Sequence, residues 1–147
     1  MRLEDQVVSF ELAKKLKDLG VEQSSVFDYQ RSWHDKPYKL NPGGSWETAD
    51  KDGRISAFTV AELGEMLPNH IIGDEVMKFD LNLWREKDGW LVAYWWDEDS
   101  RKSSGMAIIP NAIGSTEADA RAKMLIYLVE NELLPTNNPQ EELNESR

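Results

Sequence analysis

Few residues in this sequence have the types and spacing that catalysis or metal binding needs. There is no cysteine, and the histidines are His34 and His70. Residues 50–53, DKDG, resemble part of a calcium loop, but the other ligand positions are missing, including the closing glutamate. No serine-nucleophile, phosphate-loop or dinucleotide motif occurs. We therefore expect no catalytic residue, no metal and no cofactor, which argues against an enzyme without excluding one.

The strongest functional signal comes from the tryptophans. Trp33 and Trp46 lie in or beside a segment rich in Pro, Gly, Asp and Lys, whereas Trp84 and Trp95 lie in a strand-like stretch. Tryptophan is enriched in binding hot spots, but it is also a large core residue. These four are the candidate binding residues. Any that remain exposed would mark a protein contact or a small-ligand cleft.

The stretch that must position two of them is residues 79–96, FDLNLWREKDGWLVAYWW, which predicts a β-hairpin. Its β-branched and aromatic residues favour strands, and Asp88-Gly89 is a typical tight turn. Two registers remain open, and a slip of one residue exchanges the faces. A two-residue turn on Asp88-Gly89 would place on one face Leu81, Leu83, Val92, Tyr94 and Trp96. A longer loop with Gly89 as a bulge would instead group Phe79, Leu81, Leu83, Leu91, Ala93 and Trp95.

Three helices are predicted around this hairpin. Ser9 caps a helix over residues 10–19 that Gly20 ends, and Thr59 with Glu62 forms a capping box for a helix over residues 60–67. The longest helix covers residues 116–134, with Glu117–Arg121 and Asp119–Lys123 as i,i+4 ion pairs. Between Met124 and Val129 it is apolar on all sides, so it is either sandwiched within the domain or meets a second subunit in a homodimer.

Shorter strands are predicted over residues 25–31, 37–41, 55–58 and 105–110. The fold class is α+β: one domain over residues 1–134, with an antiparallel sheet centred on the tryptophan-rich hairpin and packed by the long C-terminal helix and two shorter helices. The polar segment 135–147, PTNNPQEELNESR, is predicted to be a disordered tail.

Charge and hydropathy narrow the function classes. The 17 basic and 27 acidic residues give a net charge of −10, a field that repels phosphate backbones and disfavours nucleic acid as a partner. Residues 9–31 nevertheless resemble the first two helices of a helix-turn-helix, with Gly20 in the turn, so a nucleic-acid-associated regulator is an alternative. No apolar run is long enough for a membrane span and no leader is visible, so we expect a soluble, cytoplasmic protein.

Three segments, SFELAKKLKDLGV, ISAFTVAELGEMLP and TEADARAKMLIYLVENELL, together resemble a family of small uncharacterised proteins of bacteriophages and prophages. The resemblance covers most of residues 9–134. It implies a phage-encoded protein acting in the cytosol of a bacterial host, and it implies no reaction or site residue. Our leading expectation is a non-enzymatic accessory protein that binds another protein, host-directed or acting against host defence. A small-molecule-binding domain is a further alternative.

Overall fold

The structure is a computed structural model that describes residues 1–31, 37–41, 53–72, 78–96 and 109–134. After a 3-10 turn at Leu3–Asp5, the elements in chain order are α1 (Phe10–Asp18), β1 (Asp28–Gln30), β2 (Lys39–Asn41), β3 (Ile55–Ser56), α2 (Val60–Met66), β4 (His70–Ile72), β5 (Lys78–Glu86), β6 (Gly89–Trp96), β7 (Ala112–Gly114) and α3 (Glu117–Glu130).

The strands form two antiparallel sheets. One has the order β2-β1-β3, and the other has the order β4-β5-β6-β7 with the long hairpin at its centre. α3 contacts β6 and β7 on one side and α1 and α2 on the other. This arrangement confirms the predicted α+β fold, in which the hairpin sheet is packed by a long C-terminal helix and two shorter helices.

The hairpin has a register that places its turn at Lys87 and Asp88, because Glu86 pairs with Gly89 and Phe79 with Trp96. The turn predicted at Asp88-Gly89 is therefore wrong, and so is the bulge, but the face grouping of the two-residue turn is correct: Leu81 and Leu83 share a face with Val92 and Tyr94. Gly89 does not serve the turn through a positive φ, which among the described residues occurs at Gly20 and Glu132. A Cβ at Gly89 would instead collide with the backbone carbonyl of Gly114 in β7.

The apolar centre of α3 is buried within one chain. Met124, Leu125 and Leu128 are at most 1% exposed, and Ile126 is also buried. The helix is therefore sandwiched within the domain, as the first alternative predicted. Tyr127 and Val129 in this segment are half-buried, and a homodimer through it stays a prediction. A helix covered by a sheet on one side and by helices on the other needs apolar residues all round.

Helices α1 and α3 both end in a Schellman motif. At α1 the amides of Gly20 and Val21 donate to the carbonyls of Lys17 and Leu16, with Gly20 at φ +86°. At α3 the same pair of bonds runs from Glu132 to Val129 and from Leu133 to Leu128. The residue in the left-handed conformation there is Glu132, at φ +55°. α3 therefore ends at Glu130, four residues before the predicted end next to Pro135.

The N-termini of α1 and α3 are held together by Asp119. Its Oδ1 accepts the backbone amide of Ser9 at 2.7 Å, and Tyr29 donates its hydroxyl to the carbonyl of Val8 nearby. The predicted ion pair of Asp119 with Lys123 is wrong, because Lys123 Nζ donates to the carbonyl of Ile113. The predicted pair of Arg121 with Glu117 is confirmed at 2.8 Å.

Residues 21–31 do not form the second helix of a helix-turn-helix. Residues 21–27 are not helical, and Asp28–Gln30 is a strand that pairs with both β2 and β3. The chain before this strand is fastened by side chains: Gln23 Oε1 accepts the amide of Ser56, and Ser25 Oγ donates to the carbonyl of Ala57. The helix-turn-helix interpretation is therefore wrong, because long-range strand pairing decides the conformation of this segment.

Several smaller predictions are confirmed. The capping box of Thr59 and Glu62 is present, Ser9 occupies the N-cap of α1 without a side-chain cap bond, and the strands predicted at 37–41 and 55–58 contain β2 and β3. Residues 105–108 of the predicted fourth strand, the predicted tail 135–147, and the candidate residues Trp33 and Trp46 lie outside the described residues.

Candidate interaction surface on the four-stranded sheet

The register divides the four-stranded sheet into an inner and an outer face. Phe79, Val92 and Tyr94 point inward and are buried in the core with Ile71 of β4. Successive residues of a strand point to opposite faces, so the outer face carries the alternate residues. These are His70, Ile72, Lys78, Asp80, Asn82, Trp84, Glu86, Leu91, Ala93, Trp95 and Ile113.

Trp84 and Trp95 contact each other on the outer face. Their ring centroids lie 5.4 Å apart and their planes are nearly perpendicular, at 89°, which is a favourable edge-to-face arrangement. The rung formed by Asn82 and Ala93 lies between the rungs that carry the two tryptophans. Ala93 is 0% exposed, which agrees with large side chains on both neighbouring rungs.

The polar atom of Trp84 is already satisfied at this surface. Its indole Nε1 donates to Glu86 Oε1 at 2.6 Å, and both residues belong to β5 and point to the same face. This bond and the contact with Trp95 hold the Trp84 ring in one orientation. A ring fixed before binding loses less conformational entropy when a partner packs against it.

The outer face also carries two exposed isoleucines, one on each edge strand of the sheet. Among the residues that the structure describes, the exposed large apolar side chains are Met1, Val26, Ile72, Trp95 and Ile113. The last three share the outer face. Ile72 is 70% exposed, Ile113 58% and Trp95 38%. We call the set Ile72, Trp84, Trp95 and Ile113 the outer patch. In the register, Lys78 and Asp80 lie between Ile72 and Trp95, and Leu91 lies between Trp84 and Ile113. Exposed apolar residues that share one face are typical of interaction sites.

The structure thus brings together two of the predicted binding residues, Trp84 and Trp95. Trp90, by contrast, packs against the core. Sequence reasoning missed Ile72 and Ile113, because the strands that carry them are only three residues long. A short strand offers too few residues for an alternation to be recognised.

Two ionisable groups away from the outer face have structural roles: the Glu62 carboxyl and the Tyr94 phenol. Glu62 accepts bonds from the amides of Thr59 and Val26 and from Ser25 Oγ. Burial raises the pKa of the Glu62 carboxyl, but these donors outweigh burial and hold it below its ordinary value. Burial also raises the pKa of the Tyr94 phenol, whose hydroxyl donates to the carbonyl of Pro68 at 2.6 Å.

No group of three or more His, Cys, Asp or Glu side chains suited to a metal ion occurs within the described ranges. His70 is exposed at the start of β4. None of the helices in these ranges is both long and apolar enough to cross a membrane.

Comparison with known proteins finds no match among protein-family models, curated proteins or solved structures. The resemblance to a phage and prophage family therefore stays a prediction.

Proposed function

We propose that this protein acts by binding another protein through the outer patch. The observation that carries the proposal is the pair of tryptophans held edge to face on the same face of the sheet as the exposed Ile72 and Ile113. Tryptophans in such positions dominate the binding energy of many interfaces, and apolar neighbours exclude water from them. In the phage setting that the resemblance implies, the partner is a protein of the bacterial host, and the chain is an accessory protein without catalysis of its own.

The negative charge of this chain favours a partner whose contact surface has basic residues at its rim. The chain carries a net charge of −10, and Asp80 and Glu86 lie on the same face as the tryptophans. Lys78 lies near Asp80, at 3.8 Å, and both side chains are more than half exposed. Opposite charges around an interface speed association and select partners, and they add less to affinity than the apolar centre does.

The experiment compares proteins retained from host extract by the wild-type chain and by matched variants. Ile72→Ser with Ile113→Ser removes apolar area from the outer patch with little effect on the core, since both side chains are largely exposed. Trp95→Ser removes one ring of the pair. Val26→Ser is the control, because Val26 is 71% exposed but lies outside this sheet.

We expect one basic host protein to be retained by wild type and by Val26→Ser, and to be lost with the outer-patch variants. Light scattering of the purified pair should then give a defined complex whose affinity falls roughly tenfold or more with Trp95→Ser. Equal retention by all four proteins would contradict the proposal, since binding would then not depend on this face.

A further inference from the structure

β5 is much longer than the strand beside it. β5 has nine residues, whereas β4 has three and pairs with β5 only at residues 78–80. One more bond, from the amide of Leu81 to the carbonyl of Asn69 at 2.9 Å, continues this ladder. Beyond Leu81, no described residue pairs with the edge of β5 that faces β4. The opposite edge stays paired with β6 as far as Glu86. The unpaired part, residues 82–86, is called the free edge.

The backbone groups that face outward on the free edge follow from the strand period. The Leu81 amide points towards β4, and backbone groups of a strand alternate in direction with every residue. The amides and carbonyls of Leu83 and Arg85 therefore also point outward, whereas those of Asn82, Trp84 and Glu86 point to β6. Unpaired groups of this kind form a template for another strand.

The chain that precedes β4 leaves the plane of the sheet before it reaches the free edge. Tyr94 points to the inner face, and its hydroxyl bonds to the carbonyl of Pro68. Leu67, at the end of α2, is buried in the core. The connection from α2 to β4 therefore approaches from the core side, and it does not occupy the position in the sheet next to Leu83 and Arg85.

We infer that the partner protein inserts an extended segment along the free edge of β5, so that the four-stranded sheet gains a further strand. This rests on the proposed function, because the added strand would carry side chains beside the outer patch. The free edge would recognise a peptide backbone in β conformation, and such strand addition is a recurrent mode of peptide binding.

Side chains around the free edge define which segment fits. A residue opposite Trp84 would point to the outer face and is expected to be apolar, since it would extend the cluster with Trp95. A residue opposite Glu86 would also face outward, where a basic side chain meets the carboxylate. The partner segment is therefore an alternating one, with apolar and basic residues on the side that faces outward.

The test uses displayed random peptides of about 12 residues, selected against the full-length chain, since strand addition needs only a short extended segment. Selected peptides are then measured against wild type, Arg85→Pro, Arg85→Ala and Trp95→Ser. Proline removes the outward amide without touching the ladder to β6, whereas alanine keeps that amide and removes the same exposed side chain.

We expect Arg85→Pro to weaken binding roughly tenfold or more and Arg85→Ala to leave it within about twofold, because the loss lies in the backbone pairing. Peptides N-methylated at the amides that face β5 should fail in the same way, which keeps the test decisive if Arg85→Pro does not fold. In hydrogen exchange, the amides of Leu83 and Arg85 should exchange fast in the free protein and become protected with peptide.

Two results would overturn this inference. One is a set of peptides that bind Arg85→Pro and wild type equally; if Trp95→Ser still weakens them, the outer patch remains the binding site and only the added strand is wrong. The other is the absence of any selected peptide that protects Leu83 and Arg85, and then the host-extract comparison decides the proposed function on its own.

Discussion

Replacing Glu132 by glycine should stabilise this protein, although it removes a charged side chain from the surface. Glu132 lies two residues beyond the end of α3 at φ +55°, in a position that glycine usually fills, as Gly20 does after α1. A side chain with a Cβ in this conformation costs about 1–2 kcal/mol. Glycine loses roughly 0.4–1 kcal/mol of that advantage because it gives the unfolded chain more freedom.

The expected result is a gain of about 0.5–1 kcal/mol in the free energy of unfolding, from the difference between these terms. It should appear as a shift of about 1–4 °C in melting temperature for a chain of this size. Chemical denaturation gives the same quantity at fixed temperature, with an unchanged slope if only the native state is affected.

Matched variants separate the backbone effect from charge. Glu132→Gln keeps the Cβ and removes only the negative charge at a helix C-terminus, so we expect about 0.3–0.5 kcal/mol of stabilisation at most. Gly20→Ala should cost about 0.5–1 kcal/mol, the reverse of the same difference, since its added Cβ meets nothing within 4 Å and only the left-handed backbone is strained. The reasoning is refuted if Glu132→Gly is neutral or destabilising while Gly20→Ala shows its full cost.

Three further variants test contacts that hold the fold together. Gly114→Ala should lower the free energy of unfolding by about 1–3 kcal/mol in urea titrations, because the added Cβ would lie 2.9 Å from the Cα of Ala120 in α3; a neutral result would show that the contact is loose. Tyr94→Phe should cost about 1–2 kcal/mol by leaving the carbonyl of Pro68 without its donor, and no change would mean that water replaces it. Glu62 has a lowered pKa, so its stabilisation is present above its ordinary value of 4.5 and is lost as the pH falls through the folded value. Glu62→Gln should therefore unfold with a flatter dependence on pH below 4.5, and identical profiles would contradict this role.

Local chemistry was enough to predict much of this fold. The capping box of Thr59 and Glu62, the stop at Gly20 and the strand character of residues 79–96 all follow from neighbours within a few positions. The same is true of the ion pair between Glu117 and Arg121, which lies within one turn of α3. These features need no distant partner, so the three helices and the hairpin were predicted correctly, whereas the three-residue strands β4 and β7 were missed.

Other features depend on residues that are distant in sequence. Asp119 has Lys123 four residues away, yet it accepts the amide of Ser9, 110 positions earlier. Residues 28–30 form a strand within the predicted strand 25–31, and the alternative helical interpretation failed because β2 and β3 both pair with β1. The sequence predicts a turn role for Gly89, but in the structure a side chain there would collide with the backbone of β7.

The outer patch shows which features follow from residue types alone and which follow only from the tertiary structure. Residue types alone singled out Trp84 and Trp95 as candidate binding residues, because indole rings are few and large. Only strand pairing decided that both lie on one face, in contact, and that Ile72 and Ile113 share this face. Side chains of a strand alternate with a period of two residues, so a slip of one position on either strand would have turned its tryptophan to the inner face.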